Sequence, residues 1–60
     1  TLVEIPIAEE SKYAGKLLSE IKKKQNELVI MIQRGEQIII PNGNVRLEAG
    51  DLLVINRSVN

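Results

Sequence analysis

The sequence predicts a small α+β domain of order β-α-β-β-β, with one helix packed on a four-stranded mixed or antiparallel sheet. Three observations carry this expectation. Four runs rich in Ile, Leu and Val have strand length. One segment between the first two runs repeats its apolar residues at helical spacing. Turn-forming Gly, Asn and Pro residues separate the later runs.

In the first run, Thr1–Ile7, alternation places Val3, Ile5 and Ile7 on one face. Pro6 lacks a ladder donor, so this is an edge strand, or one whose Pro6 nitrogen faces away from its neighbour. Ser11 can cap a helix over roughly 12–24, whose buried stripe is Ala14, Leu17, Leu18 and Ile21. Gly15 costs about 1 kcal/mol inside a helix. It marks either a loose first turn or the close approach of another backbone. Lys22, Lys23 and Lys24 suit a helix C-terminus, and Asn26 suits a left-handed stop.

Leu28-Val29-Ile30-Met31-Ile32 is continuously apolar, as in a central strand covered on both faces. Gly35-Glu36 fits a two-residue type II′ hairpin turn into Gln37–Ile40, which Pro41 ends. Asn42-Gly43 is a turn dipeptide, and Val45 and Leu47 alternate with Arg46 and Glu48 in a short extension. Ala49-Gly50-Asp51 turns the chain into the last strand, Leu52–Ile55, and the tail after Arg57 is polar.

Sixty residues make one domain, residues 1–60, with a thin stability margin. Ile, Leu and Val supply 21 of them, more apolar surface than one short helix shelters, so pairing with a second copy as a homodimer is expected. The chain begins without Met and enters a strand at once, as an excised piece of a larger protein would. Eight basic and eight acidic residues cancel, and Tyr13 is the single aromatic, which argues against a nucleic-acid surface. No apolar stretch approaches the roughly 18 to 20 residues of a membrane span.

Catalysis finds no support. Without His or Cys there is no Cys–His or Ser–His pair and no usual metal-ligand set. Phosphate-loop and dinucleotide glycine patterns are absent, and no cofactor is implied. Absence of Cys fits a cytosolic address. Lys22, Lys23 and Lys24 could attract a phosphate, although a solvated helix end explains them as well. Arg34 could pair with Glu36 or Asp51, or hold an anion. Asp51 can fix its turn by accepting backbone N–H bonds.

Gly15-Lys16-Leu17-Leu18-Ser19-Glu20, then Ile32-Gln33-Arg34-Gly35-Glu36 running on to Ile40-Pro41, and finally Leu47-Glu48-Ala49-Gly50-Asp51-Leu52-Leu53-Val54 together resemble the TrkA C-terminal domain. That family is also called the C-terminal domain of regulators of potassium conductance, RCK_C. Each motif is turn chemistry plus aliphatics, and the specificity lies in their order from Val3 to Ile55. The resemblance implies a dimeric β-α-β-β-β regulatory module. Such modules are attached to cytoplasmic regulators of potassium channels and transporters, or fused to antiporters and other membrane carriers. It also implies, as an alternative role, a small ligand such as cyclic di-AMP at the dimer interface. The candidate ligand contacts are Lys22, Lys23, Lys24, Asn26 and Arg34, with Gly35, Pro41, Gly43, Gly50 and Asp51 as turn residues. Asn26 lies close to where binders carry an asparagine, whereas Glu27 would oppose a phosphate.

Overall fold

A computed structural model describes residues 1–58; residues 59–60, the end of the polar tail, lie outside the described residues. Four strands form: β1 (Leu2–Pro6), β2 (Glu27–Arg34), β3 (Gln37–Ile39) and β4 (Leu52–Arg57). They make one sheet in the order β1-β4-β2-β3, with every neighbouring pair antiparallel. β1 is an edge strand, which accommodates the donor missing at Pro6. Arg34 and Gln37 are paired across the β2–β3 hairpin, leaving a two-residue turn. Gly35 has φ +60° and Glu36 has a negative φ, the signs a type II′ turn requires.

The expected helix over 12–24 does not form. Leu18–Glu20 make one turn of 3₁₀ helix, and the rest of the segment is turns and extended chain. The reason lies in where the backbone donors go. The Gly15 amide bonds Leu47 O at 2.8 Å and the Leu18 amide bonds Val45 O at 2.9 Å, while Lys16 O accepts from Leu47 N at 2.9 Å. Apart from the Lys16 amide, which donates to Tyr13 O at 3.1 Å, residues 15–18 therefore pair with the 45–47 extension instead of with their own preceding turn. Gly15 has φ +86° with nothing within 4 Å of where a Cβ would stand, so it serves neither a helical turn nor a close approach. The close approach occurs at Gly43, where a Cβ would lie 3.3 Å from the Ser19 Cβ. Asn26 is not left-handed either, because no non-glycine residue has positive φ among the described residues.

The core forms between one sheet face and this layer of irregular chain. Two cross-strand rows point into it: Val3, Ile55 and Val29, then Ile5, Leu53, Ile32 and Ile39. Ile7 and Leu47 close the core, with Tyr13, Ala14, Leu18, Ile21 and Val45 packed against it. Three of the four residues of the expected helical stripe thus face the core without a helix, while Leu17 is half-buried outside that set. Among the described residues no further layer of chain covers the other sheet face, although its neighbours leave Val54 only 3% exposed at its middle. Its rows are Leu2, Asn56 and Leu28; Glu4, Val54 and Met31; Pro6, Leu52, Gln33 and Ile38. Central strand β2 is accordingly covered on one face, not both.

Candidate functional site

Two polar constellations and one groove stand out. The first is centred on Asp51, which is 2% exposed at the start of β4. Arg34 at the end of β2 donates to it twice, Nε to Oδ1 at 2.9 Å and Nη2 to Oδ2 at 2.8 Å. The Glu48 amide also donates to Oδ2, at 2.8 Å, closing the turn over Ala49 and Gly50. Arg34 Nη2 reaches the Arg46 carbonyl at 2.9 Å, and Nη1 pairs with the exposed Glu48 carboxylate at 3.2 Å. The backbone joins in, since Ile7 N donates to Asp51 O and Gly50 N to Ile7 O, both at 2.8 Å. The carboxylate therefore ties the end of β2 to the 48–51 turn, and the backbone of Gly50 and Asp51 joins that turn to Ile7, just past β1. The Arg34 hydrogen bonds hold the Asp51 carboxyl below its ordinary range, outweighing the opposite effect of its burial. The same pairing pushes the Arg34 guanidinium up.

The second constellation lies at the other end of β2. Arg57 grips Glu27 Oε2 through Nε at 2.9 Å and Nη2 at 2.7 Å. This pairing is the main reason the Glu27 carboxyl titrates below its usual range. The Lys24 amide donates to Glu27 Oε1 at 3.2 Å. Asn26 closes onto the chain end: its Nδ2 donates to Ser58 O at 2.9 Å and its carbonyl accepts from Ser58 N at 2.8 Å. The partnership of Arg57 with Glu27 spans thirty positions and leaves no periodic mark in the sequence.

An open groove of about 440 Å³, lined at one end by Glu27, runs between the 18–23 segment and the 41–43 turn. Its floor is the core side of the sheet, at Ile5, Val29, Leu53 and Ile55, and its wall is Tyr13, Leu18 and Ile21. Lys22 and Lys23 line its polar side, facing Pro41, Asn42 and Gly43. An apolar trough with two ammonium groups and a turn at its rim suits a flat, partly apolar anion. Lys24 and Asn26 flank this groove without lining it. Arg34 is not brought to it: β2 separates the two ends by about 20 Å at roughly 3.3 Å per residue. Arg34 is instead committed to Asp51, Glu48 and Arg46. Gly35, Gly43, Gly50 and Asp51 all sit in turns, and Pro41 follows β3 at the groove rim.

Among the described residues, no group of His, Cys, Asp and Glu could hold a metal ion. No helix there is long and apolar enough to cross a membrane.

The comparisons with known proteins agree with this architecture. The family model of the TrkA-C domain matches residues 2–56. Over 54 residues the chain is 35% identical to the Trk system potassium uptake protein TrkA homolog 1 of Methanosarcina mazei, covering 90% of this chain and 12% of that protein. It is 38% identical over 50 residues to the putative Na(+)/H(+) antiporter YjbQ of Bacillus subtilis, covering 83% of this chain and 8% of that one. The chain thus spans a small fraction of the length of these relatives. A solved structure described as "Structure of RCK domain with cda" superposes with a TM-score of 0.81 at 25% identity, covering 98% of this chain and 83% of that one. With nearly its whole length matched in sequence and in fold, the chain belongs to the TrkA-C domain family.

Proposed function

We propose that this chain is a non-catalytic module that pairs with a copy of itself on the cytoplasmic side of a membrane. There it regulates a potassium or other cation transport protein of which it is part. The observation that carries this reading is the sheet with one face covered and the other open, in a domain too small to leave such a face exposed at little cost. The relatives supply the transport setting: a potassium uptake protein and an antiporter both contain a segment like this one. Pairing regulates an attached carrier or channel when the two copies have more than one arrangement and something biases between them. Ion flux through the parent protein, measured with and without this segment, tests the reading. Flux that persists but loses its control supports it. Flux and control unaltered by the deletion contradict it.

The groove supports a second reading, in which the module senses a cyclic dinucleotide such as cyclic di-AMP. Lys22 and Lys23 on an apolar trough supply charge for phosphate and surface for a base. Lys24 and Asn26 flank the groove without lining it, and Asn26 is held by Ser58. Glu27 lines the groove too, but its carboxylate is already paired with Arg57, which weakens its opposition to a phosphate. The solved relative described as an RCK domain with cda adds weight to a ligand at this fold. Calorimetric titration with cyclic di-AMP, and with AMP as control, is expected to show saturable heat for the dinucleotide alone. A flat trace sinks this reading and leaves the first one standing.

A further inference from the structure

The chain divides its cations by kind. All five lysines lie between Lys12 and Lys24, and all three arginines lie outside that segment. Each arginine is committed within the fold: Arg34 to Asp51 and Glu48, Arg57 to Glu27, and Arg46 to the Gly15 carbonyl. Among the described residues no lysine makes an ion pair, and all five are exposed. From Ser11 to Lys24 the one carboxylate is Glu20, which accepts from the Leu17 amide at 2.7 Å. Five lysines against Glu20 give that segment a charge of +4 in a chain whose formal charge is zero, which leaves −4 on the rest. The lysines also share a surface. Lys12, Lys16 and Lys22 line a recess of about 210 Å³ together with Tyr13, Glu20 and Ile21. Lys22 and Lys23 line the larger groove, so Lys22 joins the two into one basic arc. Glu9 and Glu10, in the turn before Ser11, line neither.

We infer that this lysine-bearing layer is a docking surface for an anionic membrane, meeting the phosphates and carboxylates of lipid headgroups. The inference rests on the membrane-side placement proposed above and adds which side of the module faces the lipid. Charge complementarity is the first argument, because the free cations of the whole chain are gathered on one layer. Their chemistry is the second. An acidic protein is best met by arginine, whose planar fork holds a fixed carboxylate at two points. Here Arg34 and Arg57 turn their forks to the chain's own carboxylates, and the free cations are point charges on flexible stems. Such groups suit headgroups that diffuse and present no fixed pattern. A nucleic acid asks for stacking aromatics, and Tyr13 is the only one, half-buried with Lys12 Nζ 5.3 Å from its ring centre. Tyr13 and Ile21, half-buried among the lysines, give the layer the mixed apolar and cationic character of a headgroup-level surface. Each lysine near an anionic leaflet tightens binding about fivefold, and the attraction fades within about 8 Å at physiological salt. The free chain therefore binds reversibly, and attachment to a membrane-bound parent makes the contact persist.

Co-sedimentation of the chain with lipid vesicles tests this. Vesicles of phosphatidylcholine with one-third phosphatidylserine are expected to carry the chain down at about 0.1 M salt, and vesicles of phosphatidylcholine alone are not. Raising the salt to about 0.5 M is expected to release it. Lys12→Ala, Lys16→Ala and Lys22→Ala combined are expected to weaken binding about a hundredfold while the circular dichroism of the folded chain stays unchanged. Adding Glu36→Lys to that triple variant returns two of the three lost charges, but at the β2–β3 turn, and is expected not to restore binding. Restoration by Glu36→Lys would mean that net charge acts and not this surface, which overturns the inference. Equal binding to the neutral vesicles overturns it as well. So does capture by polyglutamate without binding to either vesicle, which would assign the layer to an acidic protein. If the triple variant does not fold, Lys22→Ala with Lys23→Ala decides in its place, with an expected loss of about twenty-five-fold. Absence of binding to both vesicles defeats this inference alone, because the regulatory role is read from ion flux through the parent protein.

Discussion

Replacing Asp51 by alanine is expected to leave the isolated domain barely stable at room temperature. The side chain accepts three hydrogen bonds, two from the Arg34 guanidinium and one from the Glu48 amide, at 2.8 to 2.9 Å. Hydrogen bonds to a charged group contribute about 1.5 to 3 kcal/mol each when fully buried. Asp51 is buried, but the Arg34 side chain is 31% exposed and can turn partly to water, so its share is discounted. The Arg46 carbonyl and Glu48 also remain as partners for the stranded guanidinium. A loss of about 3 kcal/mol follows, against a total of roughly 3 to 5 kcal/mol for a domain this small. Asp51→Asn keeps one acceptor for the Glu48 amide and is expected to lose about half as much. Glu48→Ala, which removes an exposed partner, is expected to cost less than about 0.5 kcal/mol. Urea denaturation followed by circular dichroism, at one fixed chain concentration, reads all three. Asp51→Ala within about 0.5 kcal/mol of wild type would refute the reasoning.

Three further outcomes follow from the same coordinates. Asp51 and Glu27 titrate below their ordinary values of 3.8 and 4.5 in the folded chain, so the stability they contribute is present above those values. That stability is lost as pH falls through the lower folded values; a urea midpoint that holds from neutrality down to about pH 5 and then drops is expected, and Asp51→Asn should shrink the drop. Gly50→Ala forces a side chain onto φ +93° and should lower stability by about 1 to 2 kcal/mol with no loss of packing; a neutral result would show that the 48–51 turn relaxes. Ile32→Ala, in a fully buried position, should cost about 3 kcal/mol, whereas Ile38→Ala, at a position 54% exposed, should leave folding of the single chain nearly unchanged.

The strands were legible because each carries its own mark. Val3, Ile5 and Ile7 alternate, Gly35-Glu36 sets a two-residue reversal, and Pro6 confines β1 to an edge. The irregular layer was not. Ala14, Leu18 and Ile21 have helical spacing because the core needs apolar groups there, and that spacing serves an extended, turning path equally well. What decided the conformation was pairing with residues some thirty positions away, which no local period records. A bulge at Ile30 of β2, where Val29 faces Ile55 and Met31 faces Val54, was hidden for a related reason: in an unbroken apolar run every register looks alike, so the shift follows only from pairing with β4. Of the candidate site, the basic segment was visible as charge, and Lys22 and Lys23 line the groove. The commitment of Arg34 to Asp51 separates it from them, and the Glu27–Arg57 pair appears only once the chain is closed.

Sedimentation equilibrium of the purified chain over rising concentration tests pairing most directly. The structure predicts a mass that climbs toward twice 6.7 kDa by about 100 µM. A single species of 6.7 kDa throughout that range would mean that the uncovered sheet face tolerates water unaided, and that self-association is not how this module acts.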